Sequence, residues 1–268
     1  MLWQSETFNA EGQPHVSLYL SGNQPLFVVP NAGDFLIDGD CIRVSPKNRT
    51  AVRPYLLGRV LGLWLESKGL PVLHGGCLGF AKGAVGVLGK SGMGKSTLCM
   101  AGVKAGVRLI SDDLIPLALD SGAWNVAPGL PQMRLWPDTG HHYFGNFEQF
   151  ERVHPDYLKR KLTPDSRLGL AMACAPACLQ AVVVLIRTEA SQVGGFQWRR
   201  LYAADAMVQL IGQSYNVEIL QALGWQKKRL SALAKLAEMV PVWELTYQSG
   251  FEKLANLIAG FHSRWGLS

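Results

Sequence analysis

Cysteine is scarce in this chain, five residues in 268. The number is odd and no C-x-x-C occurs, so neither a disulfide framework nor a paired-thiol metal site is expected. Cys174 and Cys178 lack His or Cys partners at zinc spacing and read as small buried residues. The first residues, MLWQSETFNAEG, lack the apolar stretch of a signal peptide. Together these features fit a cytoplasmic protein. Long apolar runs are also missing. The one candidate, Leu168 to Ile186, is interrupted by Pro176 and Gln180, and its QAVVVLI portion has the β-branched make-up of a buried strand. No membrane association is expected. Charged residues make up only 17% of the chain, and the net charge of +6 is scattered rather than gathered in blocks. That balance fits acidic or phosphorylated partners and argues against a nucleic-acid patch. Internal repeats, low-complexity tracts and a dividing linker are absent too.

What is present is a globular balance, with 48% hydrophobic residues. Between residues 8 and 47, the runs VSLYL, PLFVV, DFLI and CIRV predict short strands. From Arg53 to Lys68 apolar residues recur at helical spacing, and Gly69 supplies a stop. Further on, Val107–Ser111, Val182–Ile186 and PVWELTY read as strands. Ala204–Gln213, Val217–Leu223, Lys227–Glu238 and Phe251–Phe261 read as helices. Gly129–Ser166 is weak in period and reads as a long functional or mobile loop. The expected organisation is a single domain over 1–268, with a β-rich subregion plus helix at 1–70 and a catalytic core at 71–268.

The core announces itself in GKSGMGKS, Gly89 to Ser96, which satisfies G-x-x-x-x-G-K-S/T. An apolar strand, Ala84–Leu88, leads in, and TLCMAGVKAG leads out as a short helix. Glycines let successive N–H groups turn inward on an anion, and the helix N-terminus adds its positive end. The nucleotide-binding stretch is therefore Gly89, Lys90, Ser91, Gly92, Met93, Gly94, Lys95, Ser96 and Thr97. Within it Lys95 is expected on the β/γ-phosphates and the Ser96 hydroxyl on Mg²⁺, with ATP as the nucleotide.

Two further features converge on this loop. A hairpin turning at Lys82–Gly83 would pair Ala81 with Ala84 and Cys77 with Leu88, which places His74 opposite Ser91. A lone histidine is ordinarily structural, but one beside a phosphate loop can bond the nucleotide or orient an acid. The second feature is VRLISDD, Val107–Asp113. A strand lying beside the phosphate-loop strand would deliver Asp112 and Asp113 at its C-terminal end, where ligands of α/β sheets collect. Adjacent strand residues face opposite ways, so the two acids share one job only if the chain bends there. One would face metal and phosphate, the other the acceptor hydroxyl or His74. Paired acids at a strand end can equally be a turn or a helix cap.

An HG pair placed 21 residues before the motif lysine, the run GVLGKSGMGKS and the strand VRLISDD together resemble the C-terminal kinase domain of HPr kinase/phosphorylase. The resemblance implies an α/β fold of the HPr kinase / phosphoenolpyruvate carboxykinase type, with a mixed sheet, N-terminal short strands and C-terminal helices. It also implies transfer of the γ-phosphate to a protein serine. By position, His74 matches the family's active-site histidine, and Lys95 and Ser96 its nucleotide and Mg²⁺ residues. Asp112 matches the acid that deprotonates the serine, and Asp113 its neighbour, expected on the metal. The chain departs from the family at GKST, where GKSE is usual, and the E-V/I-R-G-x-G signature tied to the phosphorylase reaction is absent. PGLPQMRLWPD stands in its place.

The segments YLLGRVLGLWLESKGLPVLHG, RLWPD, LKRKL, AVVVLIR and PVWELTY look closest to compact HPr-kinase-like proteins, including lasso-peptide kinases. That likeness implies a precursor peptide, modified at its C-terminal serine, as substrate. It makes Arg134 a candidate contact to the transferred phosphoryl group. Lys159, Arg160 and Lys161 are candidates for holding phosphate or an acidic peptide, or else form a solvated basic loop. HPr kinases are hexameric, so a homo-oligomer stays open. Rival readings are a kinase acting on an HPr-like carrier or a small molecule, and a nucleotide-binding switch without catalysis.

Overall fold

Over the first 46 residues, short runs of alternating apolar and polar side chains each form a strand. β1 (Trp3–Gln4), β2 (Ser17–Ser21), β3 (Gln24–Val29), β4 (Gly33–Asp38) and β5 (Cys41–Pro46) pair in sequence order. The sheet is antiparallel, and Leu18, Phe27, Val29, Phe35 and Ile37 share its buried cluster. The computed structural model describes residues 1–154, 158–163, 171–188 and 195–266.

The helix after β5 starts at Arg49 rather than at the expected Arg53. Asn48 caps it, its side chain accepting from the N–H groups of Thr50 (3.0 Å) and Ala51 (3.2 Å). Pro54 lies inside α1 (Arg49–Tyr55) and has no N–H for the preceding turn. The ladder widens into a π turn over Leu56–Val60 before α2 (Leu61–Ser67) resumes. Gly69, at φ 79°, ends it. Met1–Leu70 and Tyr215–Ser231 form one compact unit. Ile219 and Leu220 enter its core, and Arg229 makes a buried ion pair with Glu66. The sequence reading groups 215–231 with the catalytic core; nothing local in a short amphipathic helix says which core it will enter.

The second unit is Pro71–Ser214 with Ala232–Ser268. Its eight-stranded sheet contains β6 (Val72–Phe80), β7 (Gly83–Leu88), β8 (Arg108–Ser111), β9 (Leu114–Asp120), β10 (Ala123–Val126), β13 (Ala177–Thr188), β14 (Phe196–Leu201) and β15 (Val242–Gln248). A separate two-stranded ribbon joins β11 (Met133–Leu135) to β12 (Arg160–Leu162). β7, β13 and β15 run parallel; β6 and β14 are antiparallel to their neighbours. Alternation splits the buried residues between two faces. Val85, Val87, Val183 and Leu185 pack with α3 (Lys95–Lys104) and the helix Leu254–Trp265, while Ala84, Leu88, Val182 and Val184 pack with residues of α5 (Ala203–Gly212) and with Leu233 and Leu236. α4 (Pro137–Phe144) follows β11. This is a mixed α/β architecture with one large mixed sheet.

Four expectations are corrected. The β6–β7 hairpin turns at Ala81–Lys82, with Phe80 opposite Gly83 and Gly75 opposite Leu88. Gly83 opens β7 at a point where a Cβ would collide with the carbonyl of Cys178 on β13, so only glycine fits there. Continued, this register sets His74 opposite Gly89 rather than Ser91. The slip is two residues, so every side chain keeps its face.

β8 pairs with β6, not with β7, the strand that leads into Gly89–Ser96. Gly129–Ser166 is no irregular loop in its described residues: it holds β11, α4, a 3₁₀ turn at Phe147–Gln149 and β12. Phe144, Phe147 and Phe150 form an aromatic cluster, with Phe147 fully buried, an organiser too short in sequence to name an element. Residues 155–157 and 164–166 lie outside the described residues. Finally, Cys174 is exposed and Cys178 half-buried, because both precede the buried stretch of β13, which begins at Leu179.

No helix among the described residues is long and apolar enough to cross a membrane. The run Leu168–Ile186 becomes β13 from Ala177 onward; Leu168–Leu170 fall outside the described residues.

Candidate active site

β7 is buried from Ala84 to Leu88 and hands the chain directly to Gly89–Gly94. Three glycines there, Gly89, Gly92 and Gly94, have φ of 147°, 82° and 81°. At Gly94 the need is double, since a Cβ would also meet the hydroxyl of Tyr247. α3 then starts at Lys95 with no side-chain cap and no acid in its first turn. Its leading N–H groups and positive dipole end are thus presented at the loop without a competing carboxylate. The Lys95 ammonium donates to the Gly89 carbonyl at 2.6 Å and to that of Lys90 at 3.3 Å. Tyr247, at the C-terminal end of β15, donates to the Met93 carbonyl at 2.7 Å and pins the loop.

The acids arrive from the other side of β7. β6 is antiparallel to both β7 and β8, so the C-terminal ends of β7 and β8 meet at its N-terminal half. There the chain bends: Asp113 has φ 80°, a left-handed conformation that Asp tolerates better than most residues. The bend brings adjacent carboxylates to one partner. The Arg134 N–H donates to Asp112 Oδ2 at 2.8 Å, and Arg134 Nη1 donates to Asp113 Oδ2 at 2.9 Å. The main-chain carbonyl of Asp113 accepts from the Gly75 N–H at 3.2 Å. His74 Nδ1 lies 3.1 Å from that carbonyl and 3.4 Å from Asp113 Oδ1.

Burial sets the protonation states. Desolvation raises Asp112 to about 6, helped by the neighbouring Asp113 charge and opposed by the bond from Arg134. Desolvation also lowers His74; the Asp113 carboxylate works against it, while Lys95 and Lys159 reinforce it. Lys95 is lowered by desolvation and by Lys159, against the pull of Asp113 and Asp112. Near neutrality the site therefore holds an ionised Asp112 whose pKa is close to the working range and a neutral His74.

The structure sorts the sequence candidates. It gathers His74, Lys95, Asp112, Asp113 and Arg134 around the loop. It also divides the basic run. Lys159 acts on His74, Lys95 and Asp112 and lies 5.1 Å over the Trp136 ring. Lys161 is paired with Glu151 at 2.7 Å, and Arg160 bonds the Phe150 carbonyl. Among the described residues no three His, Cys, Asp or Glu side chains cluster as a metal-holding group. Ser96 and a carboxylate beside the phosphate loop do fit Mg²⁺, which takes one or two protein oxygens and completes its shell with phosphate and water.

Sequence reasoning missed Tyr247, Arg187 and Thr139. The first two close parallel strands at their C-terminal ends, a position that marks ligand contacts in α/β sheets, and that was the available signal. Thr139 is buried and its Oγ1 lies 2.8 Å from Thr97 Oγ1, with no signature in sequence.

No family model matches the chain, and no curated protein matches it in sequence. Among solved structures, it is similar to the Hpr(Ser) kinase/phosphatase from Coxiella burnetii. Identity is 12% and the TM-score 0.38, over 72% of this chain and 95% of that one.

Proposed function

We propose that this chain is an ATP-dependent phosphotransferase that places the γ-phosphoryl group on a serine hydroxyl. The observation that carries the reading is the bend at Asp113, which holds two acids on Arg134 beside a phosphate loop opening into an uncapped helix. A cradle for phosphates and a base next to its reacting end are the parts this chemistry needs.

Gly89–Ser96 bind the phosphates through main-chain N–H groups, and Lys95 leaves the Gly89 carbonyl to neutralise the β/γ oxygens. Bound Mg²⁺ supplies charge neutralisation on the phosphates, and Ser96 and Asp113 would hold it. Asp112 uses one oxygen for the Arg134 N–H, and its other oxygen takes the proton of the incoming hydroxyl. The Arg134 guanidinium fixes Asp113 and supports the charge that accumulates on the transferred group. His74, neutral, holds the Asp113 corner through Nδ1. Lys159 brings a third cation to the same side.

For the acceptor we propose a precursor peptide carrying a C-terminal serine, supported by the resemblance in RLWPD and LKRKL and by Lys159 lying at the site's edge. Incubation with γ-labelled ATP, Mg²⁺ and serine-terminated peptides tests this by mass spectrometry. Label on the last serine with wild type, and none with Asp112→Asn despite retained ATP binding, is the expected result. Equal labelling by the two proteins removes the base assignment. ATP binding with no labelled acceptor of any kind favours a nucleotide switch instead.

A further inference from the structure

A cavity of about 150 Å³ opens beside the phosphate loop, walled by Gly94, Thr97, Asp138, Arg187, Tyr247 and Phe251. Of its walls, the mechanism above uses only Gly94. We infer that this cavity receives the ribose of the bound nucleotide, with Asp138 accepting hydrogen bonds from the sugar hydroxyls. The inference rests on the phosphate-loop reading and deepens it.

Sheet order gives the position. β7 carries the loop; β6 and β8 lie on one side of it, β13 and β15 on the other. Asp112, Asp113 and His74 stand on the β6/β8 flank. Arg187 and Tyr247 lie in the last turns of β13 and β15 on the opposite flank. A triphosphate with its reacting end at the acids must therefore run across the loop and leave towards β13 and β15. Strands lie about 4.8 Å apart, so the three steps from β6 to β15 span about 14 Å, the scale of an extended triphosphate and its sugar.

The walls are held in place. Tyr247 is buried and bonded to the Met93 carbonyl. The Thr97–Thr139 hydroxyl pair ties α4 to α3 and so holds Asp138, one residue away, at the rim. Phe251 is stacked on His142, with centroids 4.0 Å apart and planes 11° from parallel. An aromatic wall with a few fixed polar groups is the usual make-up of a small-molecule site. The chemistry also matches. An ionised carboxylate only accepts, and the adjacent 2′ and 3′ hydroxyls of ribose offer two donors; acids serve this purpose in other nucleotide sites. Arg187, which lines the cavity and whose charge acts on Tyr247, adds positive charge where the phosphates end.

The test is calorimetric titration with Mg²⁺ and three probes: ATP, 2′,3′-dideoxy-ATP and inorganic tripolyphosphate. Wild type should bind ATP more tightly than the dideoxy analogue by about tenfold or more, the worth of hydrogen bonds to a charged group. Asp138→Ala, which leaves no acceptor, should erase that difference and leave tripolyphosphate binding unchanged. Phe251→Ala should weaken both nucleotides but not tripolyphosphate. Equal affinity of wild type for ATP and its dideoxy analogue overturns the ribose assignment, as does an Asp138→Ala protein that keeps the preference. Failure of wild type to bind tripolyphosphate and ATP alike overturns the phosphate-loop reading itself.

Discussion

Arg134 grips Asp112 through its main chain and Asp113 through its side chain, at 2.8 Å and 2.9 Å. The two contacts are separable by mutation. Arg134→Ala keeps the N–H bond to Asp112 and removes the guanidinium from Asp113. The expected loss is about 100-fold or more in kcat with a small change in ATP affinity, the pattern for a charge that matters most in the transition state. Steady-state kinetics check it, and a loss confined to KM for ATP would reassign Arg134 to ground-state binding.

Acid limb of the rate. Because Asp112 is raised to about 6 in the free protein, kcat/KM should fall about tenfold per pH unit below that value and level off above it. In Arg134→Ala the limb should move to higher pH, since the arginine lowers this carboxyl. A limb near pH 4 in wild type would mean that the base sits in water.

Stability of Asp112→Asn. The folded pKa of Asp112 lies above its ordinary 3.8, so the folded state binds the proton more tightly than the unfolded chain. The stability this contributes is fully present below pH 3.8 and is lost as pH rises towards 6. Above that, the ionised carboxylate costs about 3 kcal/mol. Asp112→Asn should therefore be inactive and yet melt higher than wild type at pH 7, with the difference shrinking at pH 4. Thermal unfolding at the two pH values checks the sign.

Unequal lysines. Lys159 faces the site while Lys161 is held by Glu151. Lys159→Ala should lower transfer by about tenfold or more, and Lys161→Ala should leave it near wild type. The same assay run at rising salt should narrow the gap if Lys159 acts mainly by charge. Equal effects from the two substitutions would return both to a general basic surface.

How much of this was legible in the chain depends on distance along it. The phosphate loop is one continuous segment whose glycines, lysine and flanking strand all announce themselves locally. His74 and Asp112–Asp113 were legible as residues, but their placement was not. β6 pairs with β7 two residues away from the expected register, and β8 lies on β6 rather than β7. Tyr247 reaches Met93 across 154 positions, and only the finished order of parallel strands brings it there. The helix expected from Arg53 begins at Arg49 and continues across Pro54 into a π turn, which no apolar spacing ahead of the proline announces. The Phe144–Phe147–Phe150 cluster is spaced by three residues, but three residues are too short a run to name an element.

The left-handed backbone at Asp113 narrows what the position will accept. Glycine and asparagine can occupy that region at low cost; a β-branched residue cannot. Asp113→Asn therefore keeps the shape and deletes the charge, whereas Asp113→Val discards both and drags its neighbour out of place. Few positions let contour and ionisation be varied one at a time, and here a single codon does it.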